Sequence, residues 1–222
     1  RCDRTDSAER DESAEKADRS ESSDPTLAKD PVEKAENTDS TDPTEPIDRI
    51  DPADPIDHLV ITAHASSVVT GAIAALATMT VAAARAFMET KFWGPFMAAK
   101  HGVPKLSPNG SIVFFSGAAG ARKLLPHHTA IGATNGAVEA FARQLAREIA
   151  PRRVNVVAAG LVRTPTYDGM RQADRQAMYD GYAKQALVGR VGEPDDIAAA
   201  VLYLMTNDYV TGQIHEIDGG RP

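Results

Sequence analysis

The amino-acid sequence predicts an α/β fold in which helices cover both faces of a parallel sheet. Short apolar runs of strand length recur between residues 58 and 220, and segments with helical spacing of apolar residues separate them. Residues 1–57 share neither pattern. Alternation of strands and helices is typical of parallel sheets, whose ligands bind outside the carboxyl ends of the strands. We therefore expect a binding site after the strands.

Each element follows from its local pattern. Strands are predicted at three short β-rich apolar runs, residues 58–63, 111–116 and 153–160, and residues 211–220 are predicted to hold a final strand. Helices are predicted from apolar periodicity, or from proline and acidic residues in a first turn, at residues 80–103, 129–150 and 193–206. The polar residues 166–186 are predicted to form two short helices. The sequence SPNG at 107–110 is predicted to be a turn.

The N-terminal quarter has a different composition. Residues 1–57 hold 8 basic and 19 acidic residues, no aromatic residue and no glycine. Such a segment cannot bury enough apolar surface to offset the entropy of ordering. We predict a disordered, acidic low-complexity tail over residues 1–55 and a folded domain over residues 56–222; a tail that binds a basic partner is the alternative. Residues 58–222 carry 16 basic and 12 acidic residues, so no nucleic-acid partner is predicted.

Cysteine usage and hydropathy bear on the compartment. Cys2 is the single cysteine of the chain, which indicates a reducing, cytoplasmic environment. Residues 65–84 are uncharged and long enough to span a membrane. Because they are mostly Ala, Thr, Ser and Gly and follow a predicted strand, we expect no membrane partner.

The order of the motifs resembles the short-chain dehydrogenase/reductase (SDR) family over residues 56–221. The motifs are HLVITAHA, FWG, GSIVFFSGAAG, TAIGATNGAVEAFARQLAREIAP, RVNVVAAGLVRTP, VGRVGEPDDIAAAVLYLM and YVTGQIHEIDGG. The resemblance implies a Rossmann-like doubly wound parallel sheet with strand order 3-2-1-4-5-6-7. It also implies NAD or NADP as cofactor, a small-molecule carbonyl or alcohol substrate, and a homo-oligomer.

The N-terminal half of the family's pattern is missing. HLVITAH resembles the family's fourth strand, and the first glycine of the chain, Gly71, comes after it. The first three strands and their glycine-rich loop therefore have no counterpart, and we hypothesise that the tail is mistranslated or replaced. A reading frame in the coding DNA that restores a glycine-rich βαβ unit would support this hypothesis, and its absence would reject it.

The resemblance also implies cofactor-binding positions. Where the family usually has Asn-Asn-Ala-Gly, this chain has Ile61 followed by Thr62, Ala63 and His64. Gly160, Val162 and Thr164 match the positions that hold the nicotinamide carboxamide. Gly160–Pro165 is alternatively a simple strand-to-helix turn.

The family's catalytic positions are largely substituted. Its tyrosine position is Ile131, its lysine position is Asn135, and its asparagine position is Lys91; its serine falls at Ser116 or Gly117. Isoleucine cannot transfer a proton, so the usual acid/base step cannot run on these residues. The sequence therefore predicts an SDR-type oxidoreductase that is catalytically impaired. The alternative is a non-catalytic binding or oligomerisation module, or a non-functional fragment.

Several side chains keep two interpretations. His127 or His128 is a replacement acid or a residue at an exposed helix start. Ser116 contacts substrate or caps a turn. Lys91 is a new charge in the pocket or reaches for solvent. No cluster with metal-ligand spacing is predicted. Strand 58–63 is expected to form an exposed sheet edge that favours aggregation.

Overall fold

The computed structural model of the chain describes residues 55–63 and 70–222. Four parallel strands form one sheet in the spatial order β1-β2-β3-β4. They are β1 Ile56–Ile61, β2 Leu106–Phe115, β3 Arg153–Ala159 and β4 Ile214–Ile217. The predicted α/β fold is confirmed, and the order agrees with the last four strands that the resemblance implies. Residues 1–54 of the predicted tail lie outside the described residues.

Among the described residues, five α-helices of eight residues or more connect the strands or follow them. They are α1 Val81–Met88, α2 Gly94–Gly102, α3 Thr129–Glu148, α4 Gln172–Gln185 and α5 Pro194–Thr206. A π-helical segment, Glu89–Trp93, joins α1 to α2, so the predicted long helix 80–103 is continuous but irregular. The prediction of two short helices within residues 166–186 is wrong. That segment holds the end of a 3-10 turn, Pro165–Tyr167, and the 14-residue helix α4.

The core lies on both faces of the two central strands. Successive side chains of a strand point to opposite faces. Ile112 and Phe114 of β2 pack with Val138 of α3, whereas Val113 packs with Leu204 of α5. All five of these residues are at most 1% exposed. This two-sided burial explains why the central strands are unbroken apolar runs rather than alternating ones.

The prediction of a turn at residues 107–110 is wrong. These residues lie within β2, where Ile56 pairs with Leu106 and His58 pairs with Ser111. The chain therefore advances by two residues along β1 and by five along β2 between these two pairs. The extra residues of β2 form an irregular bulge. A Cβ atom at Gly110 would lie 2.8 Å from Leu106 Cγ, so a side chain there would displace the buried Leu106. The turn-forming residues are used to bend a strand instead of ending it.

Two further predictions concern the exposed edge of the sheet and a possible membrane span. β1 is the outermost strand of the described sheet on its side, and aggregation through its edge stays a prediction. Within residues 55–63 and 70–222, no helix is long and apolar enough to cross a membrane. The uncharged segment 65–84 belongs only partly to that range.

Candidate functional site

A cavity of about 710 Å³ opens where β2 and β3 end. The π segment between α1 and α2, helix α3 and the segment after β3 supply its walls. Nine residues singled out from the sequence line it: Lys91, Ser116, Gly117, His128, Ile131, Asn135, Gly160, Val162 and Thr164. The structure thus brings together side chains that are up to 73 positions apart in the chain. The cavity lies at the carboxyl ends of the strands, where a binding site is predicted.

The segment after β1 does not contribute the expected wall. Thr62 is exposed, and Ala63 packs against the core. Neither residue lines the cavity. His64 lies outside the described residues, so its predicted contact with the cofactor stays a prediction.

Lys91 is buried in the wall of the cavity. Only 4% of the residue is exposed, and its Nζ donates a hydrogen bond to the backbone oxygen of Ser116 at 3.4 Å. Burial lowers the pKa of Lys91 to about 8. The interpretation that Lys91 reaches for solvent is therefore wrong, because the fold encloses the side chain on the inner side of the π segment.

Ile131 and Asn135 lie one helical turn apart on the face of α3 that lines the cavity. Ile131 packs with Ala72 and Phe87. Asn135 Nδ2 donates to the backbone oxygens of Gly117 at 3.2 Å and Ala119 at 3.0 Å. The amide therefore anchors the turn after β2, and neither side chain can transfer a proton near neutral pH.

The hydroxyl group of Ser116 donates its proton to a hydrogen bond within the protein. Its Oγ donates to Glu139 Oε1 at 3.0 Å, and its backbone N–H donates to the oxygen of Val157 at 3.0 Å. The hydroxyl can still accept a hydrogen bond from a ligand, but it has no second proton to donate. Glu139 follows Asn135 by four residues, so helical spacing could have identified it as a site residue.

A set of ion pairs borders the cavity and was not foreseen. Arg122 lies 3.0 Å from Glu216, and Lys123 lies 3.4 Å from Glu216 and 3.6 Å from Asp218. The same Arg122 lies 3.6 Å from Glu139. These pairs join the turn after β2 to α3 and to the end of β4. Only tertiary contact brings the partners together, because they are far apart in the sequence.

The opposite wall depends on close packing. Tyr182, which was also not foreseen, donates from its hydroxyl to the backbone oxygen of Asp218 at 2.8 Å. Burial raises the pKa of Tyr182. A Cβ atom at Gly160 would lie 2.7 Å from Asp218 Cα and would overlap the Tyr182 hydroxyl. Glycine is therefore required at 160 by this packing, whatever else approaches it.

The segment after Gly160 continues along the cavity. Val162 forms an isolated parallel bridge with Gly192, and Arg163 N donates to Gly192 O at 2.9 Å. Thr164 precedes the 3-10 turn Pro165–Tyr167, so the strand-to-turn interpretation describes its backbone correctly. The same residue lines the cavity.

The two histidines differ in placement. His127 is exposed and has a φ of 64°, and its backbone oxygen accepts from Ala74 N at 3.1 Å. His128 lines the cavity and precedes the first residue of α3, with its ring Nδ1 2.7 Å from the oxygen of Pro126. Across residues 55–63 and 70–222, no group of three or more potential ligands could hold a metal ion.

Comparisons with known proteins agree with the fold. The family described as enoyl-(acyl carrier protein) reductase matches residues 17–221. The short-chain reductase protein NovJ of Streptomyces niveus is 36% identical over 121 residues, covering 51% of this chain and 45% of that protein. Tetrahydroxynaphthalene reductase of Pyricularia oryzae is 34% identical over 142 residues, covering 57% of this chain and 50% of that protein. The chain spans about half the length of the curated relatives that it matches.

Solved structures extend the likeness to three dimensions. A small-chain dehydrogenase in complex with NADPH is 40% identical, with a TM-score of 0.70; the match covers 76% of this chain and 74% of that one. A second small-chain dehydrogenase is 36% identical, with a TM-score of 0.66; the match covers 76% of this chain and 73% of that one. The chain belongs to the short-chain dehydrogenase/reductase family.

Proposed function

We propose that the cavity is a nicotinamide-cofactor and carbonyl or alcohol site whose usual acid/base step is impaired. The observation that carries this proposal is the position of Ile131 and Asn135. Both line the cavity where the family's tyrosine and lysine would stand, and neither can pass a proton to a substrate oxygen.

The wall after β3 fits the nicotinamide part of NAD or NADP. Thr164 lines the cavity, and its hydroxyl makes no hydrogen bond to any other described residue, so it is available to a ligand amide. Gly160 keeps the backbone close to the end of β4, and Val162 follows on the same wall. A similar structure, 40% identical, contains NADPH. The bound cofactor supplies a hydride in this chemistry.

The chain's own residues determine what happens to a ligand oxygen. Ile131 offers an apolar surface and no proton. Asn135 is held by the backbone of Gly117 and Ala119, and Ser116 donates to Glu139. An oxygen that gains negative charge beside these groups lacks the proton donor that the family uses. We therefore expect the site to bind ligands and to turn them over slowly.

A fluorescence titration of the purified chain with NADH and NADPH, followed by turnover with a panel of carbonyl compounds, tests the proposal. We expect saturable micromolar binding and turnover close to background. The variant Ile131→Tyr/Asn135→Lys should raise turnover by at least about 100-fold, the usual range for general acid/base catalysis. Ile131→Tyr alone is the control, since it lacks the neighbouring cation.

Two results would contradict the proposal. Wild-type turnover equal to that of the double variant would show that catalysis does not need the family's tyrosine and lysine. No binding at millimolar cofactor would favour the alternative, a non-catalytic module or a non-functional fragment. The use of Asn135 as a structural anchor favours that alternative most. A cytoplasmic homo-oligomer that acts on a small molecule, without nucleic-acid or membrane partners, completes the proposal, and light scattering would test the oligomer.

A further inference from the structure

Lys91 is a buried amine whose role the proposed function leaves open. The residue is 4% exposed and lines the cavity beside Phe87 and Ile131, which are 2% and 6% exposed. Its hydrogen bond to Ser116 O, at 3.4 Å, is long for an ammonium group. Among the described residues, no carboxylate lies within ion-pair distance of Nζ. An uncompensated amine in an apolar wall is costly to keep charged, which makes its neutral form accessible.

A second lysine of the same cavity provides a comparison. Lys123 also lines the cavity, but it lies 3.4 Å from Glu216 and 3.6 Å from Asp218. Its amine is therefore held in ion pairs by two carboxylates, whereas the amine of Lys91 has no such partner among the described residues. The two lysines share one space and differ in their partners. Of these two lysines, Lys91 is the one that is buried, lines the cavity and has no ion pair with a described residue.

The backbone around Lys91 is unusual as well. The residue lies at the centre of the π-helical segment Glu89–Trp93, between two regular helices. Single π turns within helices are found frequently at functional sites. This segment turns the amine towards the cavity, while Trp93, two residues later, is 45% exposed. The π-helical backbone is thus a second feature of Lys91, in addition to the burial of its side chain.

We propose that Lys91 forms a reversible imine with small apolar aldehydes or ketones that enter the cavity. The neutral Nζ adds to the carbonyl carbon, forming a C–N bond, and a proton moves from nitrogen to the former carbonyl oxygen. That oxygen takes up a second proton and leaves as water, which gives the iminium ion. No oxidation or reduction occurs, and no cofactor is needed. Lysines in apolar pockets are activated for this chemistry by loss of their charge.

The surroundings set the pH at which this amine reacts. Burial lowers the pKa of Lys91 to about 8, so about a tenth of the amine is neutral near pH 7. The titratable and charged groups on the other elements of the cavity are Lys123, His128, Tyr167, Tyr182, Asp218 and Arg221. Glu139 of α3 lies behind Ser116, bonded to its hydroxyl. On its own segment and on α1, Lys91 is accompanied by Glu89 and Arg85.

The experiment incubates the full chain with benzaldehyde and sodium cyanoborohydride between pH 6 and 10. Cyanoborohydride transfers a hydride to the iminium carbon and converts it into a stable secondary amine. Intact mass and peptide mapping then count and locate the adducts. We expect one fast adduct, at Lys91, whose rate rises with a midpoint near pH 8, the pKa of the buried amine. Exposed lysines such as Lys100 and Lys184 should react at least about tenfold more slowly at pH 8, because they lack the apolar enclosure that activates Lys91.

Matched variants separate the role of Lys91 from general reactivity. Lys91→Met should abolish the fast adduct, whereas Lys123→Arg, which keeps the charge beside Glu216 and Asp218, should leave it within about twofold of the wild-type rate. Equal labelling of Lys91 and the exposed lysines, or a fast adduct that survives in Lys91→Met, would overturn the proposal. Circular dichroism establishes that Lys91→Met is folded, and direct mapping of the wild-type adduct decides the question if it is not.

The outcome is independent of the cofactor titration. A chain that binds no NADH or NADPH can still form the adduct at Lys91. A chain that binds the cofactor and gives no adduct would reject the imine and leave the proposed function standing.

Discussion

The two walls of the cavity differ in how closely their residues match the family pattern. The helix wall is formed by Lys91, Ile131 and Asn135, where the resemblance predicts that the family's asparagine, tyrosine and lysine are substituted. The strand wall is formed by Gly160, Val162 and Thr164, where the resemblance predicts that the family's residues are kept. Gly160 cannot gain a side chain without overlapping Tyr182 and Asp218. A proton-transferring side chain can be replaced by one that packs equally well. A glycine whose backbone touches another segment cannot be replaced without a steric clash.

The largest expected effect lies in the strand wall. Gly160→Ala should lower the free energy of unfolding by about 3 kcal/mol or more, because the new Cβ meets backbone atoms that cannot swing aside. Urea denaturation followed by circular dichroism would measure this loss. Gly136→Ala is the matched control. Nothing lies within 4 Å of a Cβ at that helical position, so we expect a gain of about 0.5–1 kcal/mol. Equal effects at the two glycines would show that the strand wall is not sterically fixed.

The next effect lies in the helix wall and depends on pH. The pKa of Lys91 is lowered from 10.5 to about 8 in the folded chain, so the unfolded chain binds more protons between these values. The amine therefore destabilises the fold below pH 8, and this cost fades as the pH rises towards 10.5. Lys91→Met should raise the free energy of unfolding by roughly 2–3 kcal/mol at pH 7.

Denaturation at pH 7 and at pH 9.5 checks the sign of this effect. The difference between Lys91→Met and the wild type should shrink at the higher pH. The exposed Lys184→Met is the control, and it should change stability little at either pH. A difference that grows with pH would mean that Lys91 is stabilised as a cation by a partner.

The smallest of the three effects concerns the anchor of the helix wall. Asn135→Ala removes the donor from the backbone oxygens of Gly117 and Ala119, which should cost about 2 kcal/mol. Gln144→Ala, at an exposed position of the same helix, is the control and should change stability by less than about 0.5 kcal/mol. A neutral Asn135→Ala would indicate that water replaces the amide and that this position is free for catalytic substitution.

Sequence patterns predicted the strands better than the connections between them. The central strands are continuous apolar runs because both of their faces are buried, and this local signal located them to within a few residues. The sequence SPNG misled, since turn-forming residues also form bulges within strands. The polar residues 166–186 misled in another way. Their single helix buries Tyr179 and Tyr182 against tertiary partners that apolar spacing alone does not reveal.

The sequence predicted which residues lie near the cavity, but it did not predict the contacts that they make. Nine of the residues singled out from the sequence line one cavity in the structure. The sequence did not reveal the burial of Lys91, because a lysine on a helix usually extends to solvent. It did not reveal Tyr182 or the pairs of Lys123 with Glu216 and Asp218 either. These contacts join residues 36 to 95 positions apart, and no local pattern encodes such pairs.

The amino-acid sequence by itself determined the parallel α/β sheet, the membership of a family, and the absence of a tyrosine and a lysine at positions 131 and 135. These properties follow from local periodicity and from residue identity, which need no knowledge of distant neighbours. The tertiary structure alone decided that Lys91 is enclosed, that Ser116 donates to Glu139, and that Gly160 lies against the end of β4. Charge state, proton availability and steric room depend on what surrounds a side chain, and only the folded chain supplies those surroundings.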